Sequence, residues 1–229
     1  LVSAELVHLD GGPHVELRQE RFSYGNRDDD TRWVIPVHIR CGAASQIAVI
    51  DSLDPVTVPV ASSGELVVVN AGGHGFFRVS YGPELRASLA HPTALAQLDT
   101  LERYCLVDDA WAATVAGRMP AADLLTLLEG FVDEREYGVW QAVVIALGGL
   151  SRLVDGDALE ALRGRVRELV APKLASLGEP SAGEADLTAK LRGLLTPTMG
   201  SLGQDAATQV ACRGIFAAAR DGEVVDAEL

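Results

Sequence analysis

The apolar residues of this chain change period once, near Pro83, and that change constrains the fold more than any single motif. Before it, the pattern repeats every second residue. Trp33, Ile35, Val37, Ile39 and Cys41 share one face of an extended run, and Val34, Pro36, His38 and Arg40 share the other. Such alternation belongs to a half-buried antiparallel strand. Pro36 has no N–H, which favours an edge position or a bulge. Six further runs read as strands, at residues 3–7, 14–22, 46–51, 55–60, 66–70 and 76–81. Gly, Pro, Asp and Ser clusters separate them. Seven short strands in this stretch predict a small antiparallel β-sandwich over residues 1–82.

After Pro83 the period lengthens to that of a helix. The pattern predicts helices at about 93–116, 121–134, 138–154, 157–177, 184–202 and 205–220. Their connectors are short, so consecutive helices should pack antiparallel. Asp157 and Glu160 have capping-box spacing. Pro172 and Pro197 should kink or end their helices. The expected fold class is therefore multi-domain, β then α. A sandwich is followed, over residues 83–229, by antiparallel helix hairpins that resemble the start of a HEAT-like α-solenoid.

Length and charge narrow the function classes. A chain of 229 residues can form two modest domains. The net charge of −13, with no basic stripe, argues against nucleic acid as a partner. No run reaches the length of a membrane span, and the most apolar stretch, 139–150, is interrupted by Gln141. No membrane partner is expected. Cys41, Cys105 and Cys212 stand far apart and form no C-x-x-C pair. They read as buried thiols in a reducing compartment, which points to the cytoplasm. Position 1 is Leu, and the sequence opens directly into a strand-like run. The expectation is a piece of a longer protein.

The glycine-rich stretch Gly72-Gly73-His74-Gly75 is the first candidate site. A phosphate loop leads from a strand into a helix, whose first N–H groups face the anion. Here the flanking runs both read as strands, so a hairpin turn with His74 at its exposed tip is expected. The five histidines show no metal-ligand spacing. Asp28-Asp29-Asp30 lacks the alternation of a calcium loop and reads as a solvated loop. There is no G-x-S-x-G. No catalytic residue and no metal ligand is assigned.

One stretch needs a partner. In residues 98–117 the apolar face runs through Leu101, Cys105, Ala112 and Val115. At about 100° per residue, Asp108 falls in the middle of that face and Asp109 near its edge. A carboxylate on a buried face must be paired. Arg103 is near in sequence, and Arg78 lies across the expected domain boundary. Arg78, Arg103, Asp108 and Asp109 are thus expected to fix the two domains together. A catalytic acid is the weaker alternative, because no nucleophile, base or metal motif accompanies it.

With these residues in view, a family resemblance emerges. Asn70-Ala71-Gly72-x-x-Gly75-Phe76-Phe77-Arg78-Val79-x-Tyr81 resembles the strand pair that ends the third domain of aminopeptidase N-like zinc aminopeptidases, the gluzincin group. Arg103-x4-Asp108-Asp109-Ala110-Trp111-Ala112, followed by Ala116-Gly117, resembles the first helix of their C-terminal helical domain. Leu17-x-Gln19-x-Arg21-Phe22 and Trp33-x-Ile35-Pro36-Val37 resemble the family's sandwich strands. Glu134-x2-Tyr137-x2-Trp140 resembles the next helix pair. The motifs occur in family order over about residues 14–150; residues 151–229 carry no such signature. The resemblance implies the third domain and the first part of the fourth. The family's zinc motif, H-E-x-x-H with a downstream Glu, belongs to the preceding catalytic domain. No cofactor is therefore expected in this chain, and zinc only in the parent enzyme. The implied partners are the catalytic domain of the same polypeptide and a peptide substrate. The implied roles are a sandwich that acts as a spacer and helices that shape and gate a substrate chamber. A non-catalytic adaptor built from sandwich and solenoid is the alternative.

Overall fold

The computed structural model describes residues 1–25, 30–181 and 183–224. Asn26, Arg27, Asp28 and Asp29, half of the loop expected there, lie outside the described residues. The strands are β1 (Val2–Leu9), β2 (Gly12–Gln19), β3 (Ile35–Cys41), β4 (Ala44–Ile50), β5 (Val56–Pro59), β6 (Val67–Val69) and β7 (Val79–Tyr81). They form a four-stranded sheet of order β5-β2-β1-β7 and a three-stranded sheet of order β4-β3-β6. The inward residues of both sheets share one core. Val2, Ala4, Val15 and Leu17 from the first meet Val37, Ile39, Cys41 and Ile50 from the second. In β2 and β3 buried and less buried positions alternate, while all three residues of β6 are buried. Pro36 pairs with Val49 on one side, while β6 reaches only Ile39, Arg40 and Cys41. Its missing N–H therefore breaks no ladder on the β6 side.

The expected hairpin between residues 66–70 and 76–81 is not formed. β6 pairs antiparallel with β3, whereas β7 pairs parallel with β1, Val2 opposite Val79. The glycine stretch crosses from one sheet to the other. Asn70 causes the departure: its backbone is left-handed (φ 61°) and starts a 3-10 turn at Ala71–Gly73. Its side chain then closes the loop, since Nδ2 donates to the Gly75 carbonyl (3.0 Å) and Oδ1 accepts from the Gly75 N–H (2.7 Å). Asn tolerates this conformation better than other residues with side chains. Tyr81 ties the two sheets together: its hydroxyl donates to the Val69 carbonyl and accepts from the Val69 N–H.

The helix expected at 93–116 is broken into α2 (Pro92–Leu95) and α3 (Thr100–Val115), and a helix not expected from the sequence, α1 (Pro83–Ala90), precedes them. Pro83 and Pro92 each occupy a first helical position, where a missing N–H costs nothing. The remaining helices are α4 (Ala121–Glu129), α5 (Tyr137–Leu150), α6 (Gly156–Leu177), α7 (Asp186–Pro197) and α8 (Ala206–Arg220). The capping box expected at Asp157 and Glu160 is absent, because α6 begins after Asp155 and Asp157 already lies in its first turn. Pro172 sits inside α6 without ending it, and Pro197 closes α7 before a π turn at Thr198–Leu202.

The chain forms two compact units, Leu1–Gly130 and Phe131–Leu229. The change from strands to helices at Pro83 lies within the first. In the second unit Trp140 is fully buried and donates from Nε1 to the Glu134 carbonyl. Buried Arg192 clamps the loop between α6 and α7. It makes a bidentate pair with Glu184 and donates to the Leu177 and Gly178 carbonyls.

Candidate functional site

The first unit is organised around α3, and two carboxylates on that helix do the joining. Asp99 caps the helix by accepting the Glu102 N–H (2.7 Å), and the Glu102 side chain accepts the Asp99 N–H (3.0 Å). This is a reciprocal capping box. Glu102 also reaches the sandwich. It accepts from Arg40 Nη2 of β3 (2.6 Å) and from the Gly72 N–H (3.0 Å). Its side chain is 4 % exposed.

Seven residues on, two helical turns later, Asp109 repeats the arrangement. It accepts the Val79 N–H of β7 (2.8 Å) and Arg78 Nη1 (3.0 Å). Each carboxylate thus takes one backbone N–H and one arginine from the sandwich. Arg78 Nη1 also donates to Asp108 Oδ2 (2.7 Å). The structure therefore brings Arg78, Asp108 and Asp109 together. Arg103 Nη1 is directed to the Leu98 carbonyl at the start of its own helix (2.6 Å).

The glycines explain how the helix comes so close. A Cβ on Gly73 would stand 2.6 Å from the Leu101 side chain, and Gly72 and Gly73 both have positive φ (73° and 67°). Their role is contact with α3, in a conformation that residues with side chains rarely adopt.

The face expected for α3 is corrected. Its buried residues are Glu102, Leu106, Val107, Ala110, Ala112 and Ala113, while Leu101 and Val115 are exposed. The two aspartates exchange places: Asp109 is 11 % exposed and Asp108 41 %. The helix is held by sandwich contacts on one side and by α4 on another, so its polar Glu102 and Asp109 face inward. A single apolar stripe does not describe a helix docked through carboxylates.

Burial dominates the ionisation of this cluster. It pushes the Asp109 carboxyl up to about 6, against the Val79 N–H and the Arg78 guanidinium, which pull it down. Burial, with the charges of Asp109 and Asp108, raises the Cys105 thiol to about 11, so it is protonated and a poor nucleophile. Burial opposes the charge on Arg78, but bonding to Asp108 and the charges of both aspartates hold it cationic. Tyr81 is raised by burial.

Beside this joint lies an open cleft of about 890 Å³. Phe22, Trp33, Phe76, Phe77 and Tyr104 line it, with Arg78 and Asp108 at its polar edge. Arg78 lies 5.5 Å from the centre of the Phe22 ring, a cation–π distance. Buried Gln19 positions Trp33, accepting its N–H and donating to its carbonyl, both at 2.8 Å. His38 and His74 meet edge to face on the rim, and His74 is exposed. Among the described residues no three His, Cys, Asp or Glu side chains are placed to hold a metal ion. Zinc does not fit this arrangement of the described residues. Each buried carboxylate is taken up by donors, so the cluster acts as a joint and the cleft as a surface.

Sequence reasoning passed over Arg40, Asp99 and Glu102. The signal was present, because Asp99-x-x-Glu102 before an apolar run is capping-box spacing. Gly72, the loop partner of Glu102, was read as part of a hairpin.

Among the described residues no helix is long and apolar enough to cross a membrane. The chain is 27 % identical over 201 residues to aminopeptidase M1 of Arabidopsis thaliana, a match covering 78 % of this chain and 22 % of that protein. It is 26 % identical over 185 residues to tricorn protease-interacting factor F2 of Thermoplasma acidophilum, covering 79 % and 22 %. It is 26 % identical over 187 residues to the puromycin-sensitive aminopeptidase of Caenorhabditis elegans, covering 77 % and 20 %. The chain spans about a fifth of the length of these relatives. The sequence profile of the ERAP1-like C-terminal domain matches residues 66–229, from β6 to the last residue. By that match the chain belongs to the ERAP1-like C-terminal domain family.

Proposed function

We propose that this chain is the non-catalytic C-terminal part of a cytoplasmic zinc aminopeptidase that removes N-terminal residues from peptides. The match of residues 66–229 to a C-terminal domain family, with relatives named as aminopeptidases, carries this reading. The sandwich over residues 1–82 acts as a spacer. The helices over 83–229, the start of a solenoid, shape and gate the chamber that receives the peptide. The partners are the catalytic domain of the same polypeptide and its peptide substrate; zinc resides in that domain. The paired carboxylates of α3 support the spacer role, because they hold the first helices rigidly on the sandwich. The test starts with the coding sequence upstream of the Leu1 codon. An in-frame H-E-x-x-H with a downstream Glu is expected, and the whole polypeptide should hydrolyse an aminoacyl reporter in a chelator-sensitive way. The 229-residue chain alone should not. Upstream sequence with those ligands replaced, or hydrolysis by the chain alone, would sink the proposal. In the first case an adaptor is the better reading, and the open aromatic cleft favours it.

A further inference from the structure

We infer that the free edge of β4 pairs antiparallel with the same edge of a second copy of this chain, about a twofold axis at Ile47. This pairing does not depend on the proposed function.

The two sheets end in four edge strands, β5, β7, β4 and β6. An edge with unpaired backbone groups is a template for another strand, and proteins blunt it with shortness, proline, charge or a cover. Three of these edges are blunted. β5 has four residues and ends at Pro59. β6 has three, all buried, and the Tyr81 hydroxyl takes the N–H and carbonyl of Val69. β7 has three, and Asp109 takes the Val79 N–H. β4 differs on every count. It has seven residues, without proline or charge. Ala44, Ser45, Gln46, Ile47 and Val49 are exposed. Its ladder runs to β3 alone, and among the described residues no other hydrogen bond reaches it.

The outer face of β4 is apolar as well. Ile47, opposite His38, is 58 % exposed, and Val49, opposite Pro36, is 50 % exposed. The solvent side of an antiparallel sheet normally carries polar residues at such positions. Ile47 and Val49 gain cover when the sheet continues past β4.

Charge selects the occupant. From Gly42 to Ile50 no side chain is ionisable, while the whole chain carries −13. Two copies repel over most of their surface and approach at least cost along this strip. A charged partner strand would find no counter-charge on it. The strip is also self-complementary. In an antiparallel register centred on Ile47, Ile47 of one protomer meets Ile47 of its partner, Ser45 meets Val49 and Gln46 meets Ala48. Ser45, Ile47 and Val49 stay on one face, where β-branched side chains pack well against cross-strand neighbours. The pair consumes the free β4 edge of both protomers, so assembly closes at two. The seam is one strand wide and about 23 Å long. That is less than the roughly 1,200 Å² of a standard interface, so the dimer is weak and reversible, with a dissociation constant on the order of 50 µM.

The experiment follows amide exchange in β4 of the 229-residue chain, with sedimentation alongside. By mass action, the alternate N–H groups that do not bond to β3 should exchange about fourfold more slowly at about 500 µM than at about 5 µM, as a dimer appears. Ile47 is exposed, so the fold should tolerate Ile47→Lys and Ile47→Glu. Each variant alone should lose the slowing, because like charges meet at the axis, and Ile47→Val should keep it. An equal mixture of the Ile47→Lys and Ile47→Glu chains should regain it, since the twofold sets Lys against Glu. No slowing at the higher concentration overturns the inference. So does a dimer that leaves β4 exchange unchanged, or a mixture that fails to regain the slowing. In the whole polypeptide the same amides should stay fast at low concentration. Protection there at every concentration would mean that another domain covers the edge, and also overturns the inference.

Discussion

Asp109 sits where burial and pairing oppose each other. Its carboxyl titrates near 6 in the folded chain and near 3.8, its ordinary value, when unfolded. Between these values the folded state holds more protons than the unfolded one. Stability from this group therefore rises as pH falls through 6, and the gain is complete below about 4. In Asp109→Asn this dependence is lost, while the amide oxygen can still accept the Val79 N–H. The wild type should gain on the order of 2 kcal/mol relative to that variant between pH 8 and pH 4, read as urea midpoints. No change in the difference across that range would refute the assignment. Arg78→Ala leaves Asp109 with only a backbone donor, and is expected to cost on the order of 2 kcal/mol at pH 7.5 in the same measurement. Cys105 should alkylate much more slowly at pH 7 than a free thiol, because its thiolate is scarce.

At the scale of elements, α3 is a helix pinned twice to a sandwich, and the pins can be separated. Glu102→Ala removes the capping box, the Arg40 partner and the acceptor of the Gly72 N–H at once. A loss of about 2–4 kcal/mol is expected in urea unfolding. Amide exchange at Gly72 should quicken sharply, while Val79, held by Asp109, should change little. Equal acceleration at both sites would mean that the pins act as one.

The same elements show what was legible beforehand. All seven strands were visible, because alternation reports a face in contact with a core. The partnership of β6 and β7 was not visible: glycines between two strand-like runs look alike in a hairpin and in a crossover. The deciding residue was Asn70, whose left-handed backbone and side-chain loop closure leave no periodic mark. Asp108 and Asp109 were singled out because a charge on an apolar face needs a partner. Their relative depth was inverted, because the face was assigned from apolar residues alone while the helix docks through its carboxylates. Helix α1 was missed for a related reason, since its eight residues hold only two buried leucines, Leu85 and Leu89.

For the whole molecule, the division at Gly130 has a direct test. A chain of residues 1–130 contains the sandwich, both carboxylate pins and the cleft. It is expected to unfold cooperatively by itself, as a compact unit with its own core does. Gradual, non-cooperative loss of structure would show that residues 131–229 are needed to hold the unit. The parallel pairing of β1 with β7 carries a further consequence, for synthesis. Val2 is matched with Val79, far later in the chain, so the first sheet stays open at one edge until Tyr81 has left the ribosome. Two early hairpins, β1–β2 and β3–β4, form from near neighbours and must wait. At about 5–20 residues per second that wait lasts several seconds, in which the flank of β1 is an unpaired template for other nascent chains. Crowded polysomes should therefore be where this protein misassembles, and a chaperone that covers β1 should matter more to its yield than any change to the finished core.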